Sequence, residues 1–136
     1  MKHTEIVSEI KHLLSRHAEI SFAYVYGSLL SADNPRDADI AVYLKPSKYK
    51  RFVITGELGI EFCIPLEMDL EKDLNCKVDV QVLNEAPLGF RHRVVSSGIV
   101  VRDNDIMARL EFESLTRVEY FDFRPKMDEY MQEVMA

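Results

Sequence analysis

Cysteine is scarce in this chain. Only Cys63 and Cys76 occur in 136 residues, with no CxxC spacing and no histidine pair nearby. That argues against a disulfide framework and against a structural zinc site. Long hydrophobic runs are also missing: none approaches the length of a membrane span, and no apolar signal region follows Met1-Lys2-His3. Nor is there an excess of positive charge. Seventeen Lys and Arg stand against 23 Asp and Glu, a net charge of −6, so a broad surface for phosphate neutralisation is not expected. A local basic pocket for a nucleotide is compatible with that balance. These absences point to a cytoplasmic protein with no membrane and no direct nucleic-acid partner.

What is present fits one globular domain. A 47% hydrophobic and 29% charged composition is that of a folded chain, and 136 residues suffice for one core but not for two. Residues 4–18 carry Ile6, Ile10, Leu13 and Leu14 at the spacing of an amphipathic helix. Residues 20–26 form a β-branched and aromatic run of strand length, stopped by Gly27. Ser28 to Asp33 reads as one helical turn capped by Ser28, broken at Asn34-Pro35. A second strand is expected at 38–44 and a mostly helical stretch at 47–73, with Gly56, Gly59 and Pro65 blurring its limits. Residues 77–83 (KVDVQVL) alternate with period two and read as a third strand. A helix over 87–96, a short edge strand at 98–101 and a helical arm over about 104–136, interrupted at Pro125, complete the chain. The expected fold class is α+β: a small mixed sheet flanked by helices in a single domain, 1–136.

Two features carry chemistry. Asp37 and Asp39 stand two apart at the head of a strand, so both side chains point to one face while Ala38, Ile40 and Val42 point to the other. Asp79 sits between Val78 and Val80, where an Asp is poor for strand propensity and needs a reason. If the two strands are neighbours, three carboxylates meet. Two like charges about 4 Å apart repel by roughly 4 kcal/mol at an effective dielectric of about 20. Such a cluster takes up protons or binds a metal, and a set of oxygens without His or Cys favours Mg2+. The plainer reading is a pair of solvated turn residues and an exposed edge strand. Tyr26-Gly27-Ser28 is the second feature: a strand end, a tight turn and a helix start, where free N–H groups attract anions and glycine permits close approach of a phosphate. Alone, it is an ordinary capped helix start.

Together these residues resemble the signature of the DNA polymerase β-like nucleotidyltransferase superfamily, and within it the minimal, MNT-type members. The resemblance spans about residues 20 to 101: the YGS turn, the DADIAVYL strand, and KVDVQVLNEAP with a helix and SSGIVVRD after it. It implies that Asp37 and Asp39 bind Mg2+ with ATP, that Gly27 and Ser28 hold the phosphates, and that Asp79 completes the metal site and helps to activate the attacking hydroxyl. The segment between the two motifs departs from the family pattern: it reads LLSADNPR, with Arg36 in a position often taken by Ser and no glycine turn. Arg36, Lys45 and Lys48 are candidates for steadying phosphate. Many minimal members are antitoxins that transfer AMP to a tyrosine of a HEPN-domain ribonuclease toxin, so the resemblance implies a hetero-oligomer with such a toxin, or a homodimer in its absence. The alternatives are a non-catalytic antitoxin that acts by binding, and a small-molecule nucleotidyltransferase of the aminoglycoside-modifying sort.

Other features carry less. His3, His12, His17 and His92 form no convincing metal set. Arg91-His92-Arg93 reads as a solvated helix face, with contact to nucleotide or partner as the alternative. The stretch from Tyr120 to Met135 is rich in aromatic residues and Met. Core packing is its simpler explanation and a partner-docking arm the other.

Overall fold

The computed structural model describes residues 3–27 and 37–135. Helix α1 (His3–Leu14) leads into strand β1 (Ile20–Tyr26), then β2 (Asp37–Leu44), α2 (Pro46–Thr55), a π-helical turn at Leu58–Cys63, and α3 (Ile64–Leu74). Strand β3 (Lys77–Val82), α4 (Leu88–Ser97), β4 (Ile99–Asp103) and a long α5 (Ile106–Met135) complete the order. The strands form one mixed sheet in the order β3-β2-β1-β4, with β1 antiparallel to both neighbours and β2 parallel to β3. This bears out the expected fold class. The parallel pair needs a long return connection, and the helical segment between Pro46 and Leu74 supplies it.

Helices cover both faces of the sheet, and the period of two decides what each face receives. Ala38, Ile40, Val42 and Leu44 of β2 and Val78 and Val80 of β3 pack under α1 and α3. The α1 stripe of Ile6, Ile10, Leu13 and Leu14 is fully buried there, and Leu66, Leu70 and Leu74 repeat every fourth residue along α3. A register shift between Ile20 and Phe22 puts Ile20 on this face too, although its number would place it on the other. Against the opposite face, α4 and α5 bury Phe22, Tyr24, Tyr26, Ala41 and Val94. Here Phe22 stacks on Tyr43 with ring centroids 4.7 Å apart, and Phe112 of α5 leans on both rings. The Tyr24 hydroxyl donates to Glu113 (3.1 Å), whose carboxylate also accepts from Arg109 (2.8 Å), so a buried acid is partnered twice.

Three expectations need correcting. Pro125 does not interrupt the last helix; α5 runs through it. A proline inside a helix removes one backbone hydrogen bond, and here that end of the helix stands in water, which satisfies the freed carbonyl. Core packing of the C-terminal segment also fails, since every residue from Phe121 to Met135 is exposed. The first helix ends at Leu14, short of the expected residue 18.

Beyond β3, Asn84 continues the sheet by side chain. Its amide accepts from the Leu44 N–H (2.8 Å) and donates to the Leu44 carbonyl (2.9 Å), closing the end of β2 in a buried position. Asn84→Ala leaves both backbone groups unpaired away from water. It is expected to cost about 2–4 kcal/mol, measured as a lower urea midpoint at unchanged slope.

Candidate active site

Parallel pairing of β2 with β3 puts Asp37 opposite Lys77 and Asp39 opposite Asp79. Antiparallel pairing of β1 with β2 puts Tyr26 on the other side of Asp39. Tyr26, Asp39 and Asp79 therefore form a row across three strands, on the sheet face that α4 and α5 cover elsewhere. Those helices stop short of the β3 side. An open cavity of about 290 Å³ remains, lined by Asp37, Ala38, Asp39, Lys77 and Asp79. The structure thus brings the three aspartates together, as the alternation of the strands implied.

Charge is crowded here. The Asp39 carboxyl is held above its ordinary value, chiefly by burial and then by Asp79 and Asp37, while Arg93 acts against the rise. Burial, with Asp39 and Asp79 beside it, pushes the Tyr26 phenol up to about 12, so it stays protonated and uncharged at neutral pH. Gln81, two residues along β3, donates to Asp79 (3.1 Å) and holds that side chain in the row. From α4, the Arg93 guanidinium lies 5.6 Å from the centre of the Tyr26 ring, and Phe90 meets the same ring edge-on at 5.5 Å.

Gly27 comes directly after the row. Its φ of +76° lies in the left-handed region, and a Cβ built there would stand 2.8 Å from the Asp39 carboxylate. A side chain here would be strained by the left-handed backbone and would push against the acid. Ser28 and Arg36 lie outside the described residues. Lys45 and Lys48 are at the wrong end of β2: six residues of strand, about 20 Å, separate Lys45 from Asp39, so neither steadies phosphate beside the carboxylates.

The three residues of the Arg91-His92-Arg93 run have separate roles. Arg91 binds the Ala86 carbonyl (2.9 Å) and Glu119 (3.1 Å), and His92 stacks on Tyr120, tying α4 to α5. Only Arg93 faces the carboxylates. Sequence reasoning also passed over Lys77, although its place two residues before Asp79 on an alternating strand was the available signal. His17 pairs with Glu19 at 3.4 Å, away from this row.

The donor set suits a hard cation. It offers carboxylate oxygens and no His or Cys, and its mutual repulsion is the kind a divalent ion relieves. Among the described residues no three His, Cys, Asp or Glu side chains form a ready-built metal cage. Magnesium is compatible with that, because it keeps several positions for water and for substrate phosphates.

Comparison with known proteins agrees with this geometry. Residues 8–107 match the family described as polymerase beta, nucleotidyltransferase. No curated protein matches the sequence. Among solved structures, one of a tri-AMPylated Shewanella oneidensis HEPN toxin in complex with MNT antitoxin is similar at a TM-score of 0.68 and 19% identity, covering 98% of this chain and 99% of that chain. A toxin–antitoxin complex with AMP-PNP is similar at a TM-score of 0.71 and 22% identity, covering 96% of this chain and 98% of that chain. The toxin–antitoxin MntA-HepT structure gives a TM-score of 0.67 at 19% identity, with 98% and 99% covered. At such identities the likeness establishes the fold.

A carboxyl whose folded pKa lies above its unfolded one opposes folding as it ionises. Its stabilising, protonated form is fully present below the ordinary value of 3.8 and is lost as pH rises through the higher folded value. Asp39→Asn removes that penalty. Without metal at pH 7 the variant is expected to melt a few degrees higher than the parent, with the gap closing below about pH 4; thermal melts in EDTA across pH check this.

Proposed function

Because the chain belongs to the polymerase beta nucleotidyltransferase family, we propose that it transfers AMP from ATP, with magnesium, to a tyrosine of a HEPN-domain ribonuclease toxin and so serves as that toxin's antitoxin. The observation that carries this is the row Tyr26, Asp39, Asp79 with Gly27 turning tightly against it. In the proposal the chain works as a single minimal domain in the cytoplasm, bound to its toxin as a hetero-oligomer.

Position assigns the roles. The phosphates of ATP lie over the Gly27 turn, where the missing side chain lets them come close to Asp39; Ser28 and Arg36 are the further candidates for holding phosphate. Asp37, Asp39 and Asp79 would hold Mg2+, which when bound offsets the charge of the phosphates and polarises the phosphoryl oxygens. Asp79, oriented by Gln81, accepts the proton of the acceptor hydroxyl. That hydroxyl oxygen bonds to the α-phosphorus as the bond to pyrophosphate breaks. Arg93, placed over the Tyr26 ring, is the group that would meet the charge developing on the leaving group.

The surface of α5 favours a protein acceptor over a small molecule. The second half of this helix displays Phe121 (78% exposed), Tyr130 (63%) and Met135 (79%) to solvent. Apolar groups at that exposure mark a surface for another protein rather than a pocket for a small substrate. The solved structures with the same fold include a HEPN toxin carrying AMP groups and a complex with AMP-PNP, and they support this choice.

Chemistry and docking can be measured separately. Asp39→Asn and Asp79→Asn should each reduce transfer of label from α-labelled ATP to the toxin by at least ~100-fold while leaving toxin binding intact; retained transfer in both would defeat the assignment. Removing residues 121–136 should weaken toxin binding about tenfold or more in a titration, with the melting temperature of the remainder unchanged.

A further inference from the structure

The segment from Lys45 to Asp73 is divided by charge. Residues 45–55 hold Lys45, Lys48, Lys50 and Arg51 and no acid. Residues 57–73 hold Glu57, Glu61, Glu67, Asp69, Glu71 and Asp73 against one cation, Lys72. The division falls at Gly56, whose left-handed backbone (φ +71°) ends α2. Within the chain the two sets stay apart: among the described residues no ion pair joins a cation of 45–55 to a carboxylate of 57–73. The Glu57 carboxyl is instead held above its ordinary value by a hydrogen bond with Glu61 and by that neighbour's charge.

Both halves also turn apolar side chains to water. Tyr49 and Phe52 face α2 toward the core, which leaves Ile54 (75% exposed) on the outer side, one turn after Lys50 and Arg51. In the acidic half, Leu66, Leu70 and Leu74 take the inner face of α3. Ile60 (72% exposed), Ile64 and Met68 repeat every fourth residue on the outer one. Glu61 adjoins the start of this stripe, and Glu71 follows its end by one turn. Beside α2 lies an open cavity of about 510 Å³, whose lining includes Tyr43, Tyr49, Lys50, Val53 and Ile54. It is large enough to receive an apolar side chain from outside.

We propose that two copies of the chain meet on this surface, across a two-fold axis that lays α2 of each on residues 57–71 of the other. A surface with one basic and one acidic half complements itself under that symmetry, and the contact is then made twice and closes. Each acidic set gains the cations it lacks at home, while Ile60 and Ile64 of one copy cover Ile54 of the other. A partner of uniform charge would be repelled by one of the halves, so charge favours a second copy over a purely acidic or basic protein. The pairing uses neither the residues lining the carboxylate cavity nor the arm beyond Phe121. Each dimer therefore carries two sites and two arms.

Sedimentation velocity on the full chain without toxin tests this. At about 100 μM protein the parent should be mainly dimer in roughly 50 mM salt, with a dissociation constant about tenfold higher in roughly 500 mM, because exposed ion pairs are screened. One variant carries Lys50→Glu and Arg51→Glu, a second Glu57→Lys and Glu61→Lys; each alone should sediment as a monomer. Mixed in equal amounts they should form a dimer, since both contacts across the axis again join opposite charges, and that recovery shows that both variants fold. A monomeric parent would overturn the proposal, as would a dimer that survives either double variant or a mixture that stays monomeric. A monomeric parent whose two variants lose toxin binding would assign the surface to the toxin instead.

Discussion

Asp39 and Asp79 stand opposite one another on adjacent strands of a parallel pair, and much of the molecule's arrangement answers to that opposition. Neighbouring strands lie about 4.8 Å apart, and two carboxylates at that distance repel by roughly 3–4 kcal/mol at an effective dielectric of about 20. A fold selected for stability alone would place an apolar or oppositely charged pair there. This one adds Asp37 at the same edge and buries Asp39 partway, so the free protein carries the mutual repulsion of three carboxylates beside an open cavity. Such local cost is expected where structure serves chemistry.

The rest of the architecture keeps that edge rigid and open. Hydrophobic residues at even positions of β2 and β3 fasten the pair to α1 and α3, which fixes the odd positions on the opposite face. Asn84 locks the far end of β2, and Glu67 of α3 accepts from the Val80 N–H (2.8 Å) on the outer edge of β3. That last bond blunts an edge strand and steadies the residue next to Asp79. On the other face, α4 and α5 cover the aromatic half of the sheet and leave the acidic half clear. An opening over the carboxylates results.

Much of this was legible in the residues. Strand alternation put Asp37 and Asp39 on one face, and Asp79 joins them because the register sets Val78 and Val80 beside Ala38 and Ile40 in the core. Gly27 was legible as a turn, but its close approach to Asp39 required the antiparallel register of β1. Arg93 was hidden, since a basic run on a weakly amphipathic helix does not say which member faces the sheet. Lys45 and Lys48 looked near in sequence but come after the strand that Asp37 begins, which sets Lys45 about 20 Å from Asp39. The C-terminal segment misled for a related reason: a stretch rich in aromatic residues and Met shows that a helix wants a partner and does not say whether the partner belongs to the same chain.

Everything proposed for this site requires the three aspartates to share a divalent ion together with a nucleotide. Manganese in place of magnesium tests that directly, because its unpaired electrons broaden NMR signals from nearby nuclei. With AMP-PNP present, substoichiometric Mn2+ should erase the amide signals of Gly27, Asp37, Asp39 and Asp79, and Asp39→Asn should restore them. Broadening confined to the acidic surface of α5, or broadening at the row that survives Asp39→Asn, would contradict the shared-ion site.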